Sequence, residues 1–256
     1  MIDARKNFSP QLKQLSLLLF AVYIATASAR AQTPVTEPGT GRAETSEIRA
    51  LAVGLEGDLR ELHILDGENQ SVGTLQLMVR SFSAKFVCPI VEGSIRFGLK
   101  SGVDEEGETL YSPLATVPWK DEFTAVTLVF IPKSYSAQAD LEQPYTIQVM
   151  DMGADDFESG TTKVVNFAPV TAYVRFGEHK KVVEYGQAVT IPKINEVMRA
   201  NMVQLNVYHM VGDDPHTVKK TRVRYLERIR YLIVLYPDVV NRRMGVASIL
   251  DYGNLF

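Results

Sequence analysis

The sequence predicts an all-β protein of two tandem immunoglobulin-like antiparallel β-sandwiches, which follow a cleaved signal peptide and a disordered spacer. Three observations lead to this class. From Ile48 onward, short runs rich in valine, isoleucine, threonine and aromatic residues recur between glycine, proline and aspartate residues. Several runs alternate apolar with polar residues, as half-buried strands do. Sequence landmarks also recur in the same order in the two halves of the chain.

The N-terminal residues 1–31 have the layout of a secretory signal peptide. A basic region precedes an apolar run at 15–29, and the small-residue sites "ASA" and "ARA" end it. The run is shorter than the roughly 20 apolar residues of a membrane-spanning helix. We therefore expect cleavage after Ala29 or Ala31, a secreted or periplasmic location, and no transmembrane segment in the mature chain.

Residues 32–47 predict a disordered spacer, because they are rich in proline, threonine, glycine and glutamate and carry almost nothing apolar to bury. Beyond them we predict β-sandwich module 1 at 48–160 and β-sandwich module 2 at 163–256. An acidic, turn-rich stretch at 151–162 separates the two, as is usual for a domain junction.

Repeated landmarks support two related modules. "IRFG" at 95–98 is echoed by "VRFG" at 174–177. Three further pairs follow in the same order: "VP" and "IP", "TLVFIPK" and "LIVLYPD", and "VMDMG" and "ILDYG". The Cys…Trp…Cys core of antibody domains is absent, so the prediction concerns the sandwich architecture. Only residues 193–202 predict a helix, and a short one.

The layout resembles a group of uncharacterised secreted bacterial proteins with two β-sandwich modules. The shared features are the signal peptide, a first module that ends in an aliphatic strand, and a joint like Val164-Val165-Asn166. A second module with a proline-terminated strand completes the likeness. The resemblance implies the fold over most of residues 48–256, and it implies no activity and no site residues.

Charge divides unevenly between the two halves. Residues 32–160 carry 9 basic and 21 acidic residues, whereas residues 161–256 carry 14 basic and 8 acidic residues. The mature chain would be mildly acidic overall, which gives no support to nucleic-acid binding. The basic excess is either a solvated strand face that attracts the acidic half or a face that binds an anion or a partner.

The candidate binding residues come from this basic stretch and from the one tryptophan. In a strand, Arg222 and Arg224 lie on one side and can hold a carboxylate or phosphate. Trp119 is a candidate sugar-stacking residue, with a core position as the alternative. The full candidate set is Arg222, Arg224, Arg228, Arg230, Tyr225 and Trp119.

No motif predicts catalysis, and we expect neither an enzyme nor a cofactor. The chain has no G-x-S-x-G, P-loop or H-E-x-x-H motif. "HMVGDDPH" at 209–216 contains two possible zinc ligand types, but "GDDP" is first a turn sequence. The acidic run at 104–108 does not match an EF-hand calcium loop. Cys88, in an apolar run, predicts a buried free thiol.

From these features we expect an exported, non-catalytic protein of the cell envelope or extracellular space. It would bind a protein partner or serve in a surface assembly. Two alternatives stay open: a carbohydrate-binding module that recognises polysaccharide, which needs a row of aromatic residues on one sheet face, and an envelope chaperone. The chaperone needs the basic cluster to face a groove between the domains beside an unpaired edge strand.

Overall fold

The computed structural model of the protein describes residues 45–54, 61–120, 125–132, 145–153 and 157–252. Nearly all regular structure in these ranges is β-strand, and they contain no α-helix. The predicted all-β class is therefore confirmed. The predicted signal peptide and most of the spacer lie outside the described residues. The first strand begins at Thr45, three residues before the predicted start of module 1.

Sixteen strands form the described part of the fold. The first half contains β1 (Thr45–Ala52), β2 (Leu62–Leu65), β3 (Ser71–Leu75), β4 (Phe86–Pro89), β5 (Ser94–Val103), β6 (Thr109–Pro118), β7 (Val126–Pro132) and β8 (Tyr145–Asp151). The second half contains β9 (Thr162–Asn166), β10 (Ala172–Phe176), β11 (His179–Val183), β12 (Ala188–Ile191), β13 (Met202–Val211), β14 (Asp214–Arg224), β15 (Arg230–Asp238) and β16 (Arg243–Asp251).

The strands form four sheets of four strands each. Sheet I has the order β4-β1-β7-β8, and sheet II has the order β3-β2-β5-β6. Sheet III has the order β12-β9-β15-β16, and sheet IV has the order β11-β10-β13-β14. Matching β1–β8 to β9–β16 in chain order gives the same strand order in both halves. The two parallel pairs, β1 with β7 and β9 with β15, also correspond.

This strand order differs from that of an immunoglobulin constant domain, in which the first, second, fifth and fourth strands share one sheet. Here β1 lies between β4 and β7. The immunoglobulin-like part of the prediction is therefore not confirmed, whereas antiparallel-rich sheets packed as sandwiches are.

Each half encloses its own hydrophobic core. Sheets I and II bury one core, in which Phe97 and Phe130 meet edge to face with ring centroids 6.0 Å apart. Sheets III and IV bury the second core, which includes Phe176 and Tyr231. The burial follows the two-residue period of the strands, since successive side chains point to opposite faces.

A third core joins the two halves, because sheets I and III pack their other faces together. In β15, Ile233 faces the second core, while Leu232 and Val234 face the third. In β7, Leu128 and Val129 divide in the same way between the first and third cores. Strands buried on both faces are continuously apolar, which explains the runs "VTLVFIP" and "YLIVLYP".

The layers therefore follow the order II, I, III, IV, with sheets II and IV outermost. The two halves belong to one compact unit, and the predicted division into modules at 48–160 and 163–256 stays a prediction. No helix in the described ranges has the length and apolar content needed to cross a membrane.

The sequence echo that suggested the repeat pairs non-equivalent strands. "IRFG" lies in β5 and "VRFG" in β10, whose topological counterpart is β2. The two glycines differ in role, since a Cβ on Gly98 would lie 2.8 Å from the Ser112 carbonyl oxygen in the sheet. Gly177 instead opens the β10–β11 turn with φ 59°. The proline-terminated runs in β7 and β15 do correspond.

The predicted helix at 193–202 is wrong. The segment forms only a 3-10 turn at Arg199–Asn201, and Ala200 within it has φ 62°. Helices in proteins gain most of their stability by packing an apolar face. Here Ile194 is buried, but Val197 and Met198 are 37% and 42% exposed, so no such face exists.

Candidate functional site

The outward face of sheet IV brings together five cationic side chains from three of its strands. Directly paired residues in an antiparallel sheet share a face, so the register shows which side chains are neighbours. One row across the four strands is Lys180, Arg175, Asn206 and Lys220. Arg222 and Arg224 continue the same face along β14, opposite Gln204 and Met202.

We call this surface the cationic face and define it by seven residues of sheet IV: Arg175, Lys180, Lys220, Arg222, Arg224, Tyr173 and Tyr208. All five cations are exposed. No acidic residue occupies a paired position on this face. Among the residues that the structure describes, none of the five cations forms an ion pair.

The arrangement of these cations is unfavourable for the sheet itself. Arg175 and Lys180 are directly opposite across β10 and β11, and like charges in that position destabilise a sheet. The Arg175 Nε–H donates to the carbonyl oxygen of Gly177 at 3.1 Å, which satisfies one donor and leaves the charge unneutralised. A bound anion would relieve this repulsion.

Two tyrosines form the apolar part of the cationic face. Tyr173 and Tyr208 are directly paired across β10 and β13, and Val182 is paired with Tyr173 on the other side. These side chains and the neighbouring Arg175 and Lys180 line a shallow depression of about 450 Å³. The surface thus combines aromatic and aliphatic area with positive charge, which is the composition of many binding sites.

A hydrogen-bond network fixes the floor of this face. The side-chain amide of Gln204 donates to the Asn206 side-chain oxygen at 2.9 Å and to the Thr221 carbonyl oxygen at 2.8 Å. Asn206 is only 8% exposed. The Gln204 amide therefore links Asn206 of β13 to the backbone of β14, beside the paired Arg222.

The structure brings together only part of the predicted site. Arg222 and Arg224 are exposed on one side of β14, as predicted, while Arg228 is exposed in the turn between β14 and β15. Trp119 is half-buried against the first core, in the other half of the chain. Its backbone N–H donates to the Gly93 carbonyl oxygen at 2.8 Å, which fixes the end of β6. The tryptophan thus packs against the edge of the first core, and its sugar-stacking role stays a prediction.

Tyr225 is a core residue and does not lie beside the arginines on the exposed face. Its hydroxyl donates to the Gly160 carbonyl oxygen at 2.7 Å and accepts from the Ile194 backbone N–H at 3.1 Å. The ring stacks on Tyr231 with centroids 5.5 Å apart. Burial raises the pKa of the Tyr225 hydroxyl. The alternation of β14 predicts this orientation, because Tyr225 is one position out of phase with Arg224.

Arg230 lies at the junction of the two halves and serves their packing. Its guanidinium pairs with Asp251, which is 3% exposed and also pairs with Arg49 at 3.2 Å. Arg230 donates to the carbonyl oxygens of Met152 and Phe157 at 3.0 and 3.2 Å. These contacts link β1, β15 and β16, so Arg230 is occupied by internal partners.

The histidine and aspartate run at 209–216 forms a hairpin, as its turn sequence predicts. Val211 pairs with Asp214 around a two-residue loop, in which Gly212 has φ 61°. The rings of His209 and His216 are 5.8 Å apart. Within the described ranges, no group of three or more histidine, cysteine or acidic residues has the geometry of a metal site.

The acidic turn, which we define as residues 104–108 between β5 and β6, is built on a backbone-capping aspartate. The Asp104 carboxylate accepts from the backbone N–H groups of Glu106 and Glu108 at 2.9 and 2.8 Å. Asp66 makes the same two bonds in the β2–β3 turn. The Asp104 carboxylate therefore stabilises the backbone of this turn.

Cys88 is buried in the first core, and burial raises the pKa of its thiol to about 12. We expect no reaction of the native thiol with an aromatic disulfide reagent at about pH 8, because the thiolate is the nucleophile. Unfolding in urea should restore full reaction at the same pH. Since an unfolded cysteine ionises first, raising the pH from about 9 toward 12 should also lower the free energy of unfolding through this group. Rapid labelling of the native protein would contradict the assignment.

The chaperone alternative is met in one respect. β14 is an edge strand of sheet IV, as that alternative requires. The basic cluster, however, lies on the outermost layer of the fold, whereas the junction of the halves lies between sheets I and III. Charged side chains on an edge strand also protect it from pairing with other chains.

Sequence reasoning missed five members of the site: Tyr173, Arg175, Lys180, Tyr208 and Lys220. Part of the signal was present, because "AYVRF" alternates and places Tyr173 and Arg175 on one face. What the sequence could not supply is the pairing of β10 with β13, which joins residues 29 to 37 positions apart. Comparison with known proteins adds no further residues: no family model matches the chain, and no curated protein matches it.

Proposed function

We propose that the protein is an exported, non-catalytic protein of the cell envelope or extracellular space that binds a protein partner through the cationic face. The observation that carries this proposal is a set of five exposed cations beside a tyrosine pair, with no acidic residue at a paired position. A partner with an acidic surface fits this chemistry. The apolar run at 15–29 supports export.

The residue types of the cationic face favour a protein ligand. Arginine and tyrosine are enriched at protein interfaces and among the residues that dominate their binding energy. Complementary charge would also speed association and select among partners. Arginines on one rigid strand can hold carboxylates with two hydrogen bonds each.

A carbohydrate-binding module is the second candidate, and the Tyr173–Tyr208 pair is the observation that favours it. Aromatic side chains on a flat sheet can stack on sugar rings. Two tyrosines make a short platform, and the five cations favour an anionic ligand over a neutral sugar. An acidic protein ligand would therefore interact with more residues of the cationic face than a neutral sugar would.

We also propose that residues 48–160 and 163–256 are tandem modules that arose by duplication. The identical strand order of the two halves supports this, including the corresponding parallel pairs. Divergence after duplication would explain why one half is acidic and the other basic.

A crosslinked pull-down tests the proposed function. The tagged chain is incubated with envelope and culture-medium fractions of its native host, alongside the double variant Arg222→Glu/Arg224→Glu. We expect one protein to be recovered reproducibly by the native chain and lost, by roughly tenfold or more, with the variant. The reason is that reversal places two acidic residues against an acidic partner.

The matched control reverses two exposed arginines off the cationic face, Arg199→Glu/Arg242→Glu, and should recover the same protein as the native chain. Equal loss with both double variants would mean that net charge alone governs binding and would contradict the assigned face. Recovery of polysaccharide without protein would favour the carbohydrate-binding alternative. Recovery of nothing from either fraction would refute the protein-binding proposal.

A further inference from the structure

We infer that the cationic face binds the acidic turn of a second copy of this chain, so that copies join head to tail. This inference deepens the proposed function and rests on it, because it names the partner of the same face. We choose a second copy as the partner because the two halves of the sequence have complementary charge. The first half is strongly acidic, and the second half is basic.

The acidic turn carries negative charge that is complementary to the cationic face. Asp104, Glu105, Glu106 and Glu108 are all exposed at the tip of the β5–β6 hairpin. None of the three glutamates pairs with a cation among the described residues. A turn held by Asp104 presents these three glutamates on a fixed backbone. Five cations without counterions thus match a cluster of uncompensated carboxylates.

Apolar groups accompany the charges on both surfaces. Val103 and Leu110, on either side of the acidic turn, are 60% and 45% exposed. On the cationic face, Val182 and Tyr173 are 51% and 40% exposed beside Tyr208. Exposed apolar groups next to complementary charge are the usual composition of a protein interface, in which an apolar centre is surrounded by polar contacts.

The two surfaces cannot meet within one copy. The acidic turn belongs to sheet II and the cationic face to sheet IV, and sheets I and III lie between them. Stacked sheets are about 10 Å apart, so these outermost layers are roughly 30 Å apart. A contact between them therefore joins different copies. Because the two surfaces differ, the contact is heterologous and leaves one free surface of each kind for further copies.

Sedimentation velocity over a range of protein concentrations tests the inference directly. It uses the chain as purified after expression, with its N-terminus determined by mass spectrometry. We expect oligomers that grow with concentration at about 50 mM salt and dissociate at about 500 mM, because exposed charges are screened. The variants Glu105→Lys/Glu106→Lys and Arg222→Glu/Arg224→Glu should each be monomeric at concentrations where the native chain associates.

Mixing the two charge-reversed variants gives the decisive result. The variant with the reversed turn keeps the native cationic face, and the variant with the reversed face keeps the native acidic turn. The mixture should therefore associate through this one native contact, although neither variant associates alone. The control variant Glu68→Lys, which changes an exposed acid in the β2–β3 turn, should associate like the native chain. Its Asp66 provides the same turn bonds as Asp104, so the two turns are matched.

A native chain that stays monomeric at low salt would overturn the head-to-tail inference. The pull-down would then decide separately whether the cationic face binds another protein. Association that survives both charge reversals would also overturn it, since the contact would then lie elsewhere. Association of the native chain with no recovery in the mixture would do the same, because it would show that reversal acts through folding. Circular dichroism of each variant provides the independent check on folding.

Discussion

Replacing Asp251 with asparagine should lower the free energy of unfolding by about 3 kcal/mol. This is a large effect for a substitution that replaces a single oxygen atom by nitrogen. Asp251 is 3% exposed and holds two arginines from different halves, Arg49 at 3.2 Å and Arg230. An amide keeps the shape and loses the charge. Two partly buried guanidinium groups then lose the carboxylate that they share, and removing one partner from a buried ion pair is costly.

Urea unfolding followed by tryptophan fluorescence and circular dichroism provides the measurement for Asp251→Asn. The matched control is Glu92→Gln, which removes the carboxylate of an exposed pair with Arg96 at 2.9 Å. Exposed pairs contribute less than about 1 kcal/mol. Equal effects of the two variants would show that the junction ion pairs contribute no more than a surface pair.

Replacing Phe157 with alanine should cost about 3 to 5 kcal/mol, the usual range for truncating a buried aromatic residue. Phe157 is fully buried in the third core, between the two halves. Its ring also lies under two cations, with the Arg230 guanidinium 4.9 Å and the Lys163 ammonium 5.4 Å from the centroid. Truncation opens a cavity and removes both cation–π contacts.

The same unfolding experiment measures Phe157→Ala. Tyr185→Ala is the control, because that ring is 66% exposed in the second half and its loss should change stability by less than about 0.5 kcal/mol. If the third core joins the halves into one cooperative unit, the native chain should unfold in one transition and Phe157→Ala should shift that transition as a whole. A native-like midpoint for Phe157→Ala would contradict the role of the third core.

Local patterns in the sequence predicted several of the strands and the side of the strand that some charged residues take. The alternation of "TRVR" placed Arg222 and Arg224 together on an exposed side, and the structure agrees. The turn residues of "GDDP" predicted the hairpin between β13 and β14. These features depend on neighbours one to four residues apart, where backbone geometry and turn chemistry decide the outcome.

Features that depend on distant residues were missed or misplaced. The echo of "IRFG" in "VRFG" paired β5 with β10, although the strand orders equate β10 with β2. Local alternation put Tyr225 on the side opposite Arg224, but the bond from its hydroxyl to Gly160, 65 residues earlier in the chain, depends on the fold. The helix predicted over 193–202 did not form, since propensity and period do not reveal whether a face will find a surface to pack against.

The sequence by itself determined the all-β class, the exposed arginines of β14, the buried thiol of Cys88 and the opposite charge of the two halves. Only the tertiary structure decided the strand orders, the third core and the gathering of Tyr173, Arg175, Lys180, Tyr208 and Lys220 beside those arginines. The physical reason is that sheet register pairs residues far apart in the chain, and that pairing depends on the free energy of the whole packed arrangement. A local pattern specifies which face a side chain takes, and the fold specifies which other side chains share that face.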